Sequence, residues 1–219
     1  MKPYRDTAIN SRLPDAPTAP PAPLSPAERT ATLDRILGEA PTDEPIRVFA
    51  YGSLLWNPGF EPESAERVRL NGYRRAFNFW SMVSRGSPER PGLGLGLARG
   101  GLCHGVSYTL RPDDLEEDLK VIWKREMYTG VYRACWLTVE AGAASRQAIA
   151  FVTDTGHSHH TGDIPDDIAA AIIARAAGDK GSCRDYLAST VDSLATQGMD
   201  DPALIELLAK VDSVRLEAP

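Results

Sequence analysis

Apolar and polar residues alternate along much of the chain between residues 46 and 153, a pattern typical of strands that bury one face. Residues 46–50 are apolar apart from Arg47, and we interpret them as the first strand. Leucine alternates with glycine or alanine over residues 93–98, Arg99-Gly100-Gly101 follows, and the alternation resumes over residues 102–110. Because paired glycines favour a turn, we predict a hairpin between these two segments.

Two more turns are predicted inside this strand-rich region. Asn71-Gly72 is a strong tight-turn signal, and it separates alternating residues around Val68 from an apolar segment that ends near Val83. Residues 131–139 and 147–153 have the composition of strands, and Ala141-Gly142 lies between them. The middle of the chain is therefore predicted to be mainly antiparallel sheet.

Helical spacing occurs on both sides of the strands. Ser25-Pro26-Ala27-Glu28 is a capping-box pattern, and it predicts a short helix that ends at Gly38. Three further helices are predicted over residues 165–177, from Ser182 to about residue 198, and from residue 201 onward. Strands followed by helices in this order indicate a mixed α+β fold.

The clearest helix is predicted over residues 111–127, where Leu115, Leu119 and Ile122 define a buried stripe. At about 100° per residue, Glu126 lies roughly 20° from Leu115 around the helix axis, within that stripe. Burial and the negative end of the helix dipole both raise the pKa of a carboxylate at this place. Glu126 is therefore the best candidate for a general base or acid.

A structural interpretation of Glu126 remains open beside the catalytic one. Helix ends commonly carry salt bridges, and Arg125 and Arg133 are both close enough in sequence to pair with this carboxylate.

The first strand stops abruptly at Tyr51-Gly52-Ser53, and Leu54, Leu55 and Trp56 follow. A buried strand that runs into a Gly-Ser turn presents consecutive backbone N–H groups with little side chain in the way. Such a turn can receive a carboxylate or a developing oxyanion. An ordinary strand end is the alternative, and composition alone favours it.

Three other features suggest chemistry that the surrounding sequence does not support. Residues 92–96 resemble part of a dinucleotide fingerprint, but no helix follows, so we expect these glycines to allow close packing against a strand. Cys103 and His104 suggest a thiol nucleophile with a histidine base. Neighbouring side chains on a strand face opposite sides, so the imidazole cannot activate the adjacent sulfur. His157, His159 and His160 lie in a polar segment without a further ligand at metal-site spacing, and a solvated loop is the preferred interpretation.

Composition narrows the possible environments and partners. The chain has 219 residues, a mass of 23.8 kDa, a formal net charge of −6 and a pI near 5.3, which argues against nucleic-acid binding. No apolar run is long enough for a membrane span, and the N-terminus lacks the order of a secretory signal. Three cysteines without a CxxC pair are typical of reduced thiols in a cytoplasmic protein.

Proline spacing divides the chain into three predicted parts. Residues 1–24 are a Pro-rich arm, extended or disordered, because they offer little to bury. Residues 25–45 are a short helix and linker, and residues 46–215 are predicted to be one domain.

Taken together, several motifs resemble the ChaC-type γ-glutamylcyclotransferases. The resemblance extends from about residue 46 to residue 211. Its motifs are Tyr51-Gly52-Ser53-Leu54 with Trp56-Asn57-Pro58, Arg85-Gly86-Ser87-Pro88, Trp123-Lys124-Arg125-Glu126-Met127, Gly130-Val131-Tyr132, and Gly181-Ser182-Cys183-Arg184-Asp185-Tyr186-Leu187.

This resemblance implies an enzyme that cleaves glutathione into 5-oxoproline and cysteinylglycine without a metal or cofactor. It implies that the Glu126 carboxylate is catalytic and that Tyr186 assists at the site. It also implies a small, barrel-like, mostly antiparallel sheet flanked by helices. The residues that hold the γ-glutamyl group would be Ala50, Tyr51, Gly52, Ser53, Leu54 and Leu55.

Two alternatives to this function remain. One is the same chemistry on other γ-glutamyl peptides or amines, and the other is a catalytically silent module that only binds a γ-glutamyl group. Arg85 and Arg133 are candidates to neutralise a substrate carboxylate. The sequence leaves the oligomeric state open, and a small molecule is the predicted partner.

Overall fold

The computed structural model describes residues 15–42 and 44–216, and helices and strands alternate along them. The helices are α1 (Pro26–Gly38), α2 (Leu115–Glu126), α3 (Asp166–Arg175), α4 (Cys183–Thr196) and α5 (Pro202–Leu216). The strands are β1 (Arg47–Ala50), β2 (Ser64–Ser81), β3 (Gly92–Thr109), β4 (Tyr132–Ala141), β5 (Ala144–Thr153), β6 (Ala177–Gly178) and β7 (Gly181–Ser182).

Within the described residues, five strands close into a barrel in the order β1-β3-β2-β4-β5. Strand β1 pairs antiparallel with β3 and parallel with β5, and β4 pairs antiparallel with both β2 and β5. The β4–β5 hairpin turns at Gly142, whose φ is 59°, as Ala141-Gly142 predicts. The predicted class, a small and mostly antiparallel barrel with helices, is confirmed.

The chain divides into two compact units, each assembled from separate segments. We call the first the barrel unit, which comprises Ala22–Arg75 and Gly96–Asp154. We call the second the helical unit, which comprises the described parts of Met1–Pro21, Ala76–Leu95 and Thr155–Pro219. The single domain predicted over residues 46–215 stays a prediction.

The core of the barrel unit is formed by residues that alternate along its strands. Phe49, Leu70, Leu97 and Val139 are each no more than 2% exposed and belong to one buried cluster. Helix α1 begins with the predicted capping box, since Ser25 Oγ accepts a hydrogen bond from Glu28 N at 3.2 Å and the Glu28 carboxylate accepts one from Ser25 N at 2.8 Å.

The helical unit packs α3, α4 and α5 through their apolar faces. Ile172 and Ile173 of α3 and Leu187 of α4 are fully buried. Arg184 donates to both carboxylate oxygens of Asp212, at 2.9 and 3.0 Å, and this fork joins α4 to α5. The three helices predicted for this part of the chain are confirmed.

The turns predicted at Asn71-Gly72 and at Gly100-Gly101 are wrong, because strands β2 and β3 each extend across the predicted position. Gly72 has a φ of 79°, and Gly100 has a φ of 90°, yet both lie inside strands of 18 residues. The buried side of β2 changes from Val68 and Leu70 to Tyr73 across Gly72. An extra residue in a long strand produces this shift, so the positive φ at Gly72 marks a bulge rather than a hairpin.

The glycines of residues 92–96 permit close packing, as predicted. A Cβ at Gly94 would come within 2.8 Å of Phe79 Cε1, and a Cβ at Gly92 would come within 3.1 Å of Ala176 Cβ. Any larger residue at Gly94 would displace the phenylalanine ring.

The predicted solvated histidine loop is wrong at His159, which is only 4% exposed. Its Nε2 donates to Ala19 O at 3.1 Å, and its Nδ1 lies 3.2 Å from Ser158 Oγ. The predicted N-terminal arm thus has an anchor at residue 19, whereas its residues 1–14 lie outside the described part. Over residues 15–42 and 44–216, no cluster of His, Cys, Asp or Glu is arranged to hold a metal ion.

Among the helices that the structure describes, none combines the length and hydropathy needed to cross a membrane. All three cysteines carry free thiols, with Cys103 and Cys183 buried and Cys135 partly exposed.

Candidate active site

Strand β1, whose last three residues are buried, leads into the candidate binding turn. Val48, Phe49 and Ala50 are fully buried, and Ala50 pairs with Val106 of β3. Gly105 allows this approach, since a Cβ there would overlap the Ala50 carbonyl oxygen and come within 2.7 Å of Phe49 Cζ. The end of β1 is therefore held in place before the turn begins.

The turn itself is a single turn of 3₁₀ helix over Ser53–Leu55. Leu55 N donates to Gly52 O at 2.9 Å, and Asn57 N donates to Ser53 O at 3.0 Å. The Leu54 and Leu55 side chains are buried, so they anchor this backbone from below. The first N–H groups of such a turn have no acceptor within the turn, so they can donate to a group that lies at its N-terminal end.

Two side-chain contacts fix the beginning of the turn. Tyr51 is buried, and its hydroxyl donates to Phe151 O at 2.7 Å. Arg75 Nε donates to Tyr51 O at 2.7 Å, and Arg75 Nη2 donates to His104 O. Tyr51, which precedes the turn, is thus bonded to β5 through its hydroxyl and to β2 through Arg75, and Arg75 also bonds β3.

Helix α2 places Glu126 at its last residue. Leu119, Ile122 and Trp123 are buried, and the Glu126 side chain is only 15% exposed, as expected from its position in the apolar stripe. Trp123 fixes the end of the helix, because its ring lies edge-on to Phe151 at 5.4 Å and its Nε1 donates to Thr32 Oγ1 at 3.0 Å.

Arg125 lies between the turn and the carboxylate. Its Nη1 donates to Pro58 O at 2.9 Å and also to Asn57 O. Its Nη2 lies 3.4 Å from Ser53 Oγ, to which it donates, and 4.0 Å from Glu126 Oε1. The structure therefore brings together the turn and the Glu126 carboxylate, which the sequence suggested separately, since both lie within 4.0 Å of Arg125 Nη2.

Arg133, the other predicted partner of Glu126, lies beside Asp154 instead, with Nε 3.8 Å from Oδ1. Arg125 does lie beside Glu126, and at 4.0 Å that contact is long for a hydrogen bond. The contact is compatible with a carboxylate that accepts and returns a proton.

A second buried acid on α2 was missed. Asp118 is 9% exposed and its Oδ2 has no hydrogen-bond partner among the described residues. Burial, and then the charge of Asp114, raises the pKa of Asp118, while Arg111 partly offsets this. Helix α2 begins at Leu115 rather than at residue 111, so Asp118 lies in its first turn. Eight residues of helix, about 12 Å, separate Asp118 from Glu126.

Tyr186 belongs to the helical unit, where two neighbours hold its ring. Phe77 lies edge-on to it with ring centroids 6.2 Å apart, and the Arg85 guanidinium lies over it at 5.0 Å. Arg85 also donates to Lys180 O. The assistance of Tyr186 at the site, and of Arg85 in binding a carboxylate, stay predictions.

Arg75 was not recognised from the sequence, although one signal was present. Tyr73 and Phe77 are buried on β2, and Arg75 lies between them at the same alternation. A cation at an apolar position of a strand indicates that its donors are used inside the protein.

Comparison with known proteins agrees with these features. The ChaC-like protein family matches residues 46–214. A glutathione-specific gamma-glutamylcyclotransferase of Escherichia coli (strain K12) is 36% identical over 191 residues, which cover 87% of this chain and 83% of that protein. Human glutathione-specific gamma-glutamylcyclotransferase 1 is 28% identical over 212 residues, which cover 93% and 92% of the two chains.

The fold also has a counterpart among crystal structures. A gamma-glutamyl cyclotransferase specific to glutathione from yeast superposes with a TM-score of 0.73 at 20% sequence identity, over 80% of this chain and 99% of that one. The matched family segment contains both the turn and the carboxylate, and the predicted resemblance is confirmed. The chain belongs to the ChaC-like protein family.

Proposed function

We propose that this protein is a glutathione-specific γ-glutamylcyclotransferase, which converts glutathione into 5-oxoproline and cysteinylglycine. One observation carries the proposal: the Arg125 guanidinium lies against both the Ser53 hydroxyl of the turn and the nearly buried Glu126 carboxylate. The names of the relatives from E. coli and human support the choice of glutathione as the substrate.

The reaction needs a folded substrate more than it needs reactive protein groups. The α-amine of the γ-glutamyl group attacks its own γ-carbonyl carbon, and a five-membered lactam ring closes. The bond between that carbon and the cysteine nitrogen then breaks. Holding the substrate curled contributes part of the barrier reduction, because the attack becomes a well-oriented intramolecular step.

Glu126 is the proposed proton carrier. The α-amine of glutathione is an ammonium at neutral pH, so one proton must leave before the amine can attack. The Glu126 carboxylate takes that proton and later gives it to the departing cysteine nitrogen. The attacking nitrogen loses a second proton as the ring closes, and the released cysteine amine takes up one more to become an ammonium, so the proton count balances. No electron is transferred, and no covalent bond to the protein is formed.

The turn is the proposed binding half of the site. Ala50, Tyr51, Gly52, Ser53, Leu54 and Leu55 would hold the γ-glutamyl group. Backbone N–H groups of the turn can bind the α-carboxylate of the substrate or the oxyanion that forms on the γ-carbonyl oxygen. The anchoring of Tyr51 by Arg75 supports this role, because a binding group must keep its position while the charge develops.

The first prediction concerns Glu126. Purified protein should form 5-oxoproline and cysteinylglycine from millimolar glutathione, and Glu126→Gln should lower kcat by at least about 100-fold, the usual contribution of a general base. Chromatography of the products measures both. Glu117→Gln is the matched control, since Glu117 lies on the same helix, is 78% exposed and pairs only at the surface with Lys120.

Two results would contradict this function. Absence of 5-oxoproline with the wild-type protein would exclude it, and near-normal turnover by Glu126→Gln would exclude Glu126 as the base. Parallel assays with a γ-glutamyl dipeptide and a γ-glutamyl amine test the wider substrate range, and binding without turnover identifies a silent module.

The proposed site of action is the cytoplasm. Free thiols at Cys103, Cys135 and Cys183 agree with a reducing environment.

A further inference from the structure

The Arg125 side chain contacts more of the proposed site than any role as a helix-end cation requires. Lys124 and Arg125 both lie in the last turn of α2, where positive charge complements the helix dipole. Lys124 is exposed to solvent, whereas the Arg125 side chain is only 21% exposed. A cation needed only for the dipole would stay in water.

One arm of the guanidinium holds the end of the turn. Arg125 Nη1 donates to Pro58 O at 2.9 Å and also to Asn57 O, which are the carbonyls that follow the 3₁₀ turn. Gly59 has a φ of 79°, and a Cβ there would come within 3.1 Å of Nη1. The backbone at residues 57–59 therefore lies directly against the guanidinium.

The other nitrogen of the guanidinium lies beside the turn and the proposed proton carrier. Arg125 Nη2 lies 3.4 Å from Ser53 Oγ and 4.0 Å from Glu126 Oε1. The planar fork fixes the direction of each donor relative to the others. The positions of the turn and of the carboxylate thus depend on one rigid group. Ser53 and Arg125 are 72 residues apart in the sequence.

We propose that Arg125 is a positioning residue, which holds the substrate-binding turn and the Glu126 carboxylate in a fixed mutual geometry and keeps that carboxylate ionised in the free enzyme. This inference rests on the proposed function. The first role depends on the shape of the guanidinium, because three acceptors in different directions need a fork. The second role depends on its positive charge alone, because a nearby cation favours the charged form of a carboxylate.

The two roles are separable by substitution. Arg125→Lys keeps the charge but replaces the fork with one compact ammonium. Arg125→Gln removes the charge and most of the donors. Arg35→Gln is the matched control, because Arg35 is on α1 of the same unit and also donates to a backbone carbonyl, Ala134 O, at 2.9 Å.

Kinetics with glutathione between pH 5 and 8 test both roles. Arg125→Lys should raise KM about tenfold, the effect of losing one charge-assisted contact, and should leave the acid limb of kcat/KM in place. Arg125→Gln should raise KM similarly and also move that limb about one pH unit upward, since the carboxylate ionises less readily without the cation. Arg35→Gln should change neither quantity.

Amide hydrogen exchange without substrate gives an independent measurement. The amides of Leu55, Trp56 and Asn57 are hydrogen-bonded within the turn, at 2.9, 3.4 and 3.0 Å. They should exchange faster in Arg125→Gln than in the wild type, whereas the amides of the β4–β5 hairpin should be unchanged in a variant that is folded. Arg35→Gln should show wild-type exchange at the turn.

The outcomes separate the two proposals. An active wild type together with unaltered KM, pH profile and turn exchange in Arg125→Gln would overturn the role of Arg125 and leave the function intact. A loss of kcat alone, with no change in KM, acid limb or exchange, would also overturn it. If the wild type forms no 5-oxoproline, the function fails, and the exchange measurement still decides whether Arg125 positions the turn.

Discussion

Arg75 is a nearly buried cation that bonds the backbone just before the turn. Arg75 is 8% exposed, and such a charge is tolerated because its donors meet the carbonyls of Tyr51 and His104. In a trans peptide the C=O and the following N–H point in opposite directions. With Tyr51 O directed at Arg75, the N–H of Gly52 is directed away from it, which is the orientation that an anion-binding turn needs.

Thiol reactivity is a prediction at the residue scale. The Cys183 thiol is fully buried and donates to Leu93 O at 3.2 Å, and burial raises the pKa of Cys183 to about 11. Because the thiolate is the reactive form, iodoacetamide at pH 8 should modify Cys135 first and Cys183 only after unfolding. Mass spectrometry of the labelled peptides measures the rates.

Cys135→Ser provides the control for this experiment, since it should abolish the fast phase of labelling and leave the fold intact. Labelling of native Cys183 as fast as Cys135 would mean that the thiol is neither buried nor held as described.

At the scale of elements, close packing between β1 and β3 determines where the turn begins. Strand β1 has only four residues, so its position depends on its neighbours rather than on its own propensity. Gly105 allows β3 to lie directly against Ala50 and Phe49. The turn is therefore positioned by a residue on a different strand.

Gly105→Ala tests this dependence. The added methyl group would overlap the Ala50 carbonyl oxygen, so we expect a loss of about 1–3 kcal/mol in the free energy of unfolding, as for overpacked cores, and a higher KM for glutathione. Urea unfolding and steady-state kinetics measure the two effects.

Gly38→Ala is the comparison variant, because a Cβ at Gly38 would meet nothing within 4 Å. Its unfolding free energy should stay within about 0.5 kcal/mol of the wild type. If Gly105→Ala behaves in the same way, β1 and β3 do not pack as closely as the structure indicates.

At the scale of the whole molecule, stability should depend on pH through His159. Burial lowers the pKa of His159 first, and the charge of His157 lowers it further, while the hydrogen bond to Ala19 O partly opposes both. The unfolded state therefore binds a proton more readily than the folded state. The contribution of His159 to the free energy of unfolding is fully present above the ordinary histidine pKa of about 6.5. It is lost as the pH falls below that value and through the lower pKa of the folded state.

Urea unfolding of the intact chain at pH 7.5, 6.5 and 5.5 measures this loss. His159→Gln should be less stable at pH 7.5 but should lose less stability between pH 7.5 and 5.5 than the wild type does. Equal losses in the two proteins would assign the pH dependence to other groups.

Features with a local cause were predictable from the sequence. The capping box at Ser25 and Glu28 forms because its partners are three residues apart. Glu126 is nearly buried because helical periodicity places it in the stripe of Leu115, Leu119 and Ile122. The turn after β1 follows from an apolar strand that ends in Gly52-Ser53. Each of these depends on residues within about three helical turns of one another.

Other features depend on residues that are distant in sequence. A positive φ at Gly72 or Gly100 suits a hairpin and a bulge equally, and only the pairing of long strands decides between them. His159 is buried, and it bonds Ala19, 140 residues away in the sequence, and Trp80 of β2. Periodicity shows which face of an element is apolar, but it does not show which partner covers that face.

The sequence by itself thus determined the two halves of the candidate site, a glycine-containing turn and a carboxylate on an apolar helix face. Only the tertiary structure decided that they meet, through the fork of Arg125 on Ser53, Asn57 and Pro58. The physical reason is that local pattern sets the direction of each side chain within its own element, whereas the distance between elements is set by the packing of the barrel.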